Sequence, residues 1–91
     1  MSVIQRIRRA VRAGRYDFTD HARQEALADS LWIEDVIAVL LTGEVDSTYS
    51  DDLRGPRYVM RGKTQDAVID VVCRFEDDGS LLIIITVYIV D

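Results

Sequence analysis

One histidine, His21, stands in this chain, four residues before Glu25. On a helix that spacing puts both side chains on one face, where the carboxylate can orient the ring or raise its pKa. Thr19 is a good N-cap and Asp20 favours the positive end of a helix dipole, so His21 falls in a first turn, where the dipole disfavours an imidazolium. A neutral imidazole so placed is a candidate general base. A single His is a weak signal, and an exposed bystander is the competing reading. Arg57, Arg61 and Lys63 share one face of a strand with Val59, so three positive charges line one side. Asp51 and Asp52 are adjacent acids of a kind that binds divalent cations, but a pair without further ligands reads as a solvated turn. Cys73 lies on an apolar strand face and reads as inert packing. One His and one Cys make no His/Cys zinc cage within the chain, so no metal or cofactor is expected.

These residues need a scaffold, and the stretch that organises it is 80–90, Ser-Leu-Leu-Ile-Ile-Ile-Thr-Val-Tyr-Ile-Val. It is almost wholly apolar and rich in β-branched residues, which suit a pleated surface. Strict alternation puts Leu81, Ile83, Ile85, Val87 and Ile89 on one face and Leu82, Ile84, Thr86, Tyr88 and Val90 on the other. With both faces apolar it reads as a central strand covered on both sides. Before it, Val3, Ile4, Ile7 and Val11 make a narrow stripe on a helix over 2–14 that Gly14 ends. A short extended link at 16–18 leads to a second helix over 20–29, with Ala22, Ala26 and Leu27 facing inward. In a third helix over 33–42, Ile33, Val36, Ile37, Leu40 and Leu41 fit the amphipathic template completely. Trp32 stands where a cap is expected and reads as an anchor of core or interface.

From residue 44 the period changes to two. Strands are expected over 44–50 (anchored by Val45 and Tyr49), 57–63, 67–76 and then the organising stretch. In the third, Ala67, Ile69, Val71, Cys73 and Phe75 form the core face. Asp77-Asp78-Gly79 is a strong hairpin turn. The expected fold is a single α+β domain over 1–91: two or three N-terminal helices on a four-stranded antiparallel meander.

Composition narrows the function classes. With 48% hydrophobic residues the chain is not disordered. Its longest apolar run is half of the ~20 residues a spanning helix needs, so no membrane segment is expected. The arginine-bearing N-terminus has no apolar signal core, and the lone cysteine allows no internal disulfide, so a cytoplasmic protein is expected. The net charge of −5 hides an asymmetry. Arg6, Arg8, Arg9, Arg12 and Arg15 give the first fifteen residues a charge of +5, while the rest sets six basic against sixteen acidic side chains, a balance of −10. The acidic body weighs against general nucleic-acid binding. The first helix reads as a solvated basic face or as a dock for RNA phosphates or an acidic partner.

One resemblance goes further. His21-Ala22-Arg23-Gln24-Glu25 is followed by Glu34-Asp35-Val36, then Gly43-Glu44-Val45 with Tyr49-Ser50-Asp51-Asp52. Gly55-Pro56-Arg57-Tyr58-Val59, Gly62-Lys63-Thr64, Val71-Val72-Cys73, Ile84-Ile85-Thr86-Val87-Tyr88 and Asp91 complete the series. In this order, over about residues 16–91, they resemble the small bacterial domains of domain-of-unknown-function family 4258. The resemblance implies a fold related to the RelE/HigB/MqsR ribonuclease toxins and a cognate antitoxin, often with a small zinc finger. The implied chemistry is metal-independent transesterification: a base takes the 2′-hydroxyl proton, cations stabilise the phosphorane and an acid protonates the leaving oxygen. In that scheme His21 is the base or acid, Arg61 and Tyr88 join it in catalysis, and Arg23, Arg57 and Lys63 bind phosphate. Tyr88 has a competing reading as a half-buried core tyrosine bonded at the rim.

The sequence departs from that family at three places. A second His is usual just before Val-Val-Cys; here it is Asp70, which when ionised neither donates a proton nor offsets phosphate charge. The usual Pro after the terminal Tyr is Ile89, and the capping Thr or Ser before the third helix is Trp32. Two functions therefore stand side by side: a ribonuclease toxin acting on RNA, and a non-catalytic interaction module with a degenerate site at Asp70. The second would assemble as a homodimer or hetero-complex through Trp32 and its apolar neighbours.

Overall fold

The structure, a computed structural model, describes residues 1–50, 53–64, 66–76 and 78–90. The order along the chain is α1 (Val3–Arg12), β1 (Tyr16–Phe18), α2 (Asp20–Ala28), α3 (Ile33–Thr42), β2 (Glu44–Tyr49), β3 (Arg57–Lys63), β4 (Val68–Phe75) and β5 (Leu82–Val90). The strands form one five-stranded sheet in the order β1-β5-β4-β3-β2. The expected four-stranded antiparallel sheet is thus corrected to a five-stranded mixed one. The added strand is β1, which pairs in parallel with Leu82–Ile84. Three residues are too few to show a period, and β1 forms because the free edge of β5 needs partners. Flanking bonds fix it: Leu82 N–H donates to the Arg15 carbonyl at 3.1 Å and Thr19 N–H to the Ile84 carbonyl at 3.0 Å. The middle of the sheet belongs to β4, with β5 beside it.

The helices form where the sequence places caps. Ser2 and Gln5 make a reciprocal capping box at the start of α1. Thr19 Oγ1 accepts from Ala22 N–H at 3.0 Å and donates to the Ile85 carbonyl at 3.1 Å, joining α2 to β5. Thr19→Ala should therefore cost ~1 kcal/mol in a urea titration, and Thr19→Ser should keep most of it. At α3 the Trp32 indole caps nothing; instead the Asp35 carboxylate accepts from Trp32 N–H at 2.8 Å.

Ile7, Ala10 and Val11 of α1 with Val36, Val39 and Leu40 of α3 cover one sheet face and bury Met60, Ile69, Val71, Cys73, Leu82, Ile84 and Val87. Burial pushes the Cys73 thiol up to about 12, so it stays protonated and inert. The faces of β5 differ from simple alternation. Thr86 pairs with Val72 but Ile84 with Cys73, so Ile85 is an extra residue in a bulge. Leu82 and Ile84 therefore share the helix-covered face with Val87, while Ile83, Thr86 and Tyr88 turn to the open face. Leu27 was expected inside and is 80% exposed, because α2 lies along the edge of β5 and presents only its Ala22–Ala26 side. Val45 and Tyr49 are likewise exposed: β2 is the edge strand farthest from β5.

Candidate functional site

Antiparallel register brings three of the sequence-derived residues into one row across the open face. Arg61 of β3 lies opposite Asp70 of β4, and Asp70 lies opposite Tyr88 of β5. Asp70 is almost fully buried, the one polar side chain so placed among the described residues. It is held by a two-pronged bridge: Arg61 Nε donates to Oδ1 at 2.8 Å and Nη2 to Oδ2 at 3.0 Å. Tyr88, opposite Asp70 across the β4–β5 pair, interacts with the same carboxylate. On the other side Asp46 reaches Arg61 Nη1 at 3.4 Å. Asp46 sits at an irregularity between the Val45–Met60 and Ser47–Val59 pairs, which turns it toward Arg61.

The electrostatics follow from these contacts. The guanidinium hydrogen bonds hold the Asp70 carboxyl below its ordinary range against the opposing effect of burial, and Tyr88 adds to them. Arg61 is raised by its hydrogen bonds to Asp70. Tyr88 is raised by partial burial and by the Asp70 anion beside it, which makes it a weak acid. One guanidinium faces two carboxylates, so the cluster carries an excess negative charge and repels phosphate.

The other candidates lie elsewhere. His21 is on α2 beyond the edge of β5 and is largely exposed, its Nε2 3.2 Å from Glu25 Oε1. Glu25 Oε1 also accepts from Val87 N–H at 3.2 Å, closing a backbone donor that β1 is too short to reach. No hydrogen bond or ion pair among the described residues joins His21 directly to Arg61, Asp70 or Tyr88. Arg23 also projects from α2, its guanidinium 5.7 Å from the centre of the Phe18 ring. Arg57 and Lys63 begin and end β3 on the Arg61 face, opposite Tyr49 and Val68. Six residues of strand separate them by ~20 Å, too far to grip one phosphate. Asp51 and Asp52 lie outside the described residues. No group of three His, Cys, Asp or Glu side chains among the described residues could hold a metal ion.

A second feature is the surface beside Trp32. The indole is 74% exposed at the start of α3. A concavity of about 540 Å³ runs from it past Leu31 and Ala67 to Ile89 and is rimmed by Asp29, Asp35 and Asp66. Exposed Leu27 lies one helix earlier. Sequence reasoning missed Asp46, whose role depends on an irregularity that leaves no mark in the residue pattern. It also missed the contact of Glu25 with the β5 backbone.

No helix among the described residues is long and apolar enough to cross a membrane. No curated protein and no solved structure matches the chain. A family model for a domain of unknown function matches residues 18–89, from the last residue of β1 into the end of β5. The chain belongs to that family, DUF4258.

Proposed function

We propose that this chain is a protein-interaction module of the RelE-like toxin type in which the catalytic site has become structural. The observation that carries the reading is the Arg61–Asp70 bridge. A ribonuclease of the expected kind needs Arg61 free for the phosphorane and Tyr88 free to donate. Here one carboxylate, standing where a second His is usual, engages both. The docking surface in this reading is the Trp32 face: a large aromatic anchor, apolar neighbours and an acidic rim suit a partner with apolar and basic side chains. A cognate antitoxin is that partner, in the cytoplasm, where the reduced thiol of buried Cys73 is at home.

Co-expression with the product of the adjacent gene tests the interface. Trp32→Glu should abolish a co-eluting complex while leaving the melting temperature within a few degrees, because the indole caps nothing and is exposed. A complex unchanged by Trp32→Glu would move the interface elsewhere. The ribonuclease reading keeps one observation of its own. His21 is exposed and held by Glu25, the posture of an oriented base.

A further inference from the structure

At the far end of β4 and β5 from Trp32, α1 carries its arginines over the hairpin turn. A concavity of about 290 Å³ opens there, with Arg6, Arg9, Arg15, Phe75 and Ser80 in its wall and no carboxylate among the described residues that line it. Two of the arginines are fixed in place. The Arg6 guanidinium lies 4.3 Å from the centre of the Phe75 ring. Arg15 Nε donates to the Ser80 carbonyl at 3.3 Å. The Arg9 guanidinium has no hydrogen-bond or ion-pair partner among the described residues. Of the acids nearest in sequence, Asp78 accepts from Ser80 N–H and Oγ at 3.0 and 2.8 Å and Glu76 is 3.9 Å from Arg74, while Asp77 lies outside the described residues.

Three guanidiniums lining one hollow repel each other, and no carboxylate among the described residues of its wall offsets them. An anion does so, and the planar, fork-shaped donors of arginine match the oxygens of a phosphoryl group better than a point charge would. Three positive charges suit a phosphate monoester, which carries nearly two negative charges at neutral pH, better than a single carboxylate. The hollow is close to the ~300 Å³ lower bound of small-molecule sites, and Phe75 and Ala10 give it an apolar wall. The geometry points to a binding site for a phosphate monoester of the mononucleotide kind, held by Arg6, Arg9 and Arg15 against Phe75. This site is independent of the Arg61–Asp70 row and of the Trp32 face. It is built jointly by α1, which precedes the matched residues 18–89, and by the β4–β5 turn within them.

Calorimetric titration of the full chain tests it with four probes: inorganic phosphate, uridine 5′-monophosphate, uridine and a glutamate-rich peptide. The nucleotide should saturate one site, phosphate should bind more weakly and compete with it, and uridine should not bind. Arg9→Gln should weaken the nucleotide about tenfold, the value of one hydrogen bond to a charged group. Arg12→Gln, outside the hollow, should leave affinity within about twofold. Arg9 is exposed, so its replacement should leave the melting temperature in place. Equal binding of nucleotide and uridine would overturn the site. So would equal losses from Arg9→Gln and Arg12→Gln, which would mean diffuse attraction. Binding of the peptide without phosphate would make the hollow a protein dock instead.

Discussion

Arg61→Ala should lower the melting temperature by roughly 10 °C at neutral pH, and the loss should shrink on acidification. The substitution strands Asp70, whose carboxylate is buried between β3 and β5 and loses both of its guanidinium hydrogen bonds. An uncompensated buried carboxylate of this kind costs ~2 kcal/mol, which in a domain of this size corresponds to that shift. Arg61 is itself partly exposed, so screening keeps the figure well below that of a fully buried pair. The pH dependence follows from the direction of the Asp70 shift. In the parent its folded pKa lies below the unfolded value, so the pair stabilises fully above the ordinary carboxylate range and fades as pH falls through the folded pKa. In Arg61→Ala burial acts without its counterweight and pushes the folded pKa up. In that variant the penalty from Asp70 is absent below the unfolded pKa and grows as pH rises. Thermal melts at pH 7 and pH 3 read both signs, and a gap that does not narrow at pH 3 would mean Asp70 is not the stranded group.

Gly43→Ala should be more damaging still, for a different reason. Gly43 ends α3, its N–H donating to the Val39 carbonyl at 2.8 Å and its carbonyl accepting from Arg8 Nη2 at 3.0 Å. Its backbone angles suit any residue, but a Cβ there would fall 2.5 Å from the Arg61 carbonyl oxygen and 2.7 Å from that of Val39. Both obstacles are main chain, so α3 must lift from β3. Overpacking of this severity costs ~3 kcal/mol, or roughly 15 °C. The same contact links the helix layer to the site, since the displaced carbonyl belongs to Arg61. Amide chemical shifts in Gly43→Ala should move most at Val39, Arg61 and Gly62. Gly14→Ala is the control: its φ is +72° with open space around it, so its cost is the ~1 kcal/mol of a left-handed alanine.

The residues that could be read from sequence are those whose neighbours are set by period alone. α3 fills its helical template, and its ends fall where Trp32 and Gly43 put them. The faces of β3 and β4 follow alternation, so the Arg57, Arg61 and Lys63 face of one and the Ile69, Val71 and Cys73 face of the other could be read from the residues. The reading fails where one residue breaks a period. The extra Ile85 changes which β5 residues face the helices, and an irregularity near Asp46 gives Arg61 a second carboxylate. A branched apolar residue fits either face, so nothing in the type of Ile85 signals the slip. β1 was missed because it exists only by pairing with β5. The arginine hollow was out of reach because it depends on where α1 crosses the β4–β5 turn, a tertiary distance that the basic periodicity of α1 does not contain.

The central claim is that Asp70 has converted a phosphate-handling row into a structural one. It is tested most directly by incubating the purified chain with a single-stranded RNA in the presence of EDTA, beside a His21→Ala variant. The account predicts intact RNA in both, with the chain folded by circular dichroism. Cleavage by the parent that disappears in His21→Ala would contradict it. Such a result would show that His21 acts as the base and that phosphorane stabilisation proceeds despite the Arg61–Asp70 bridge.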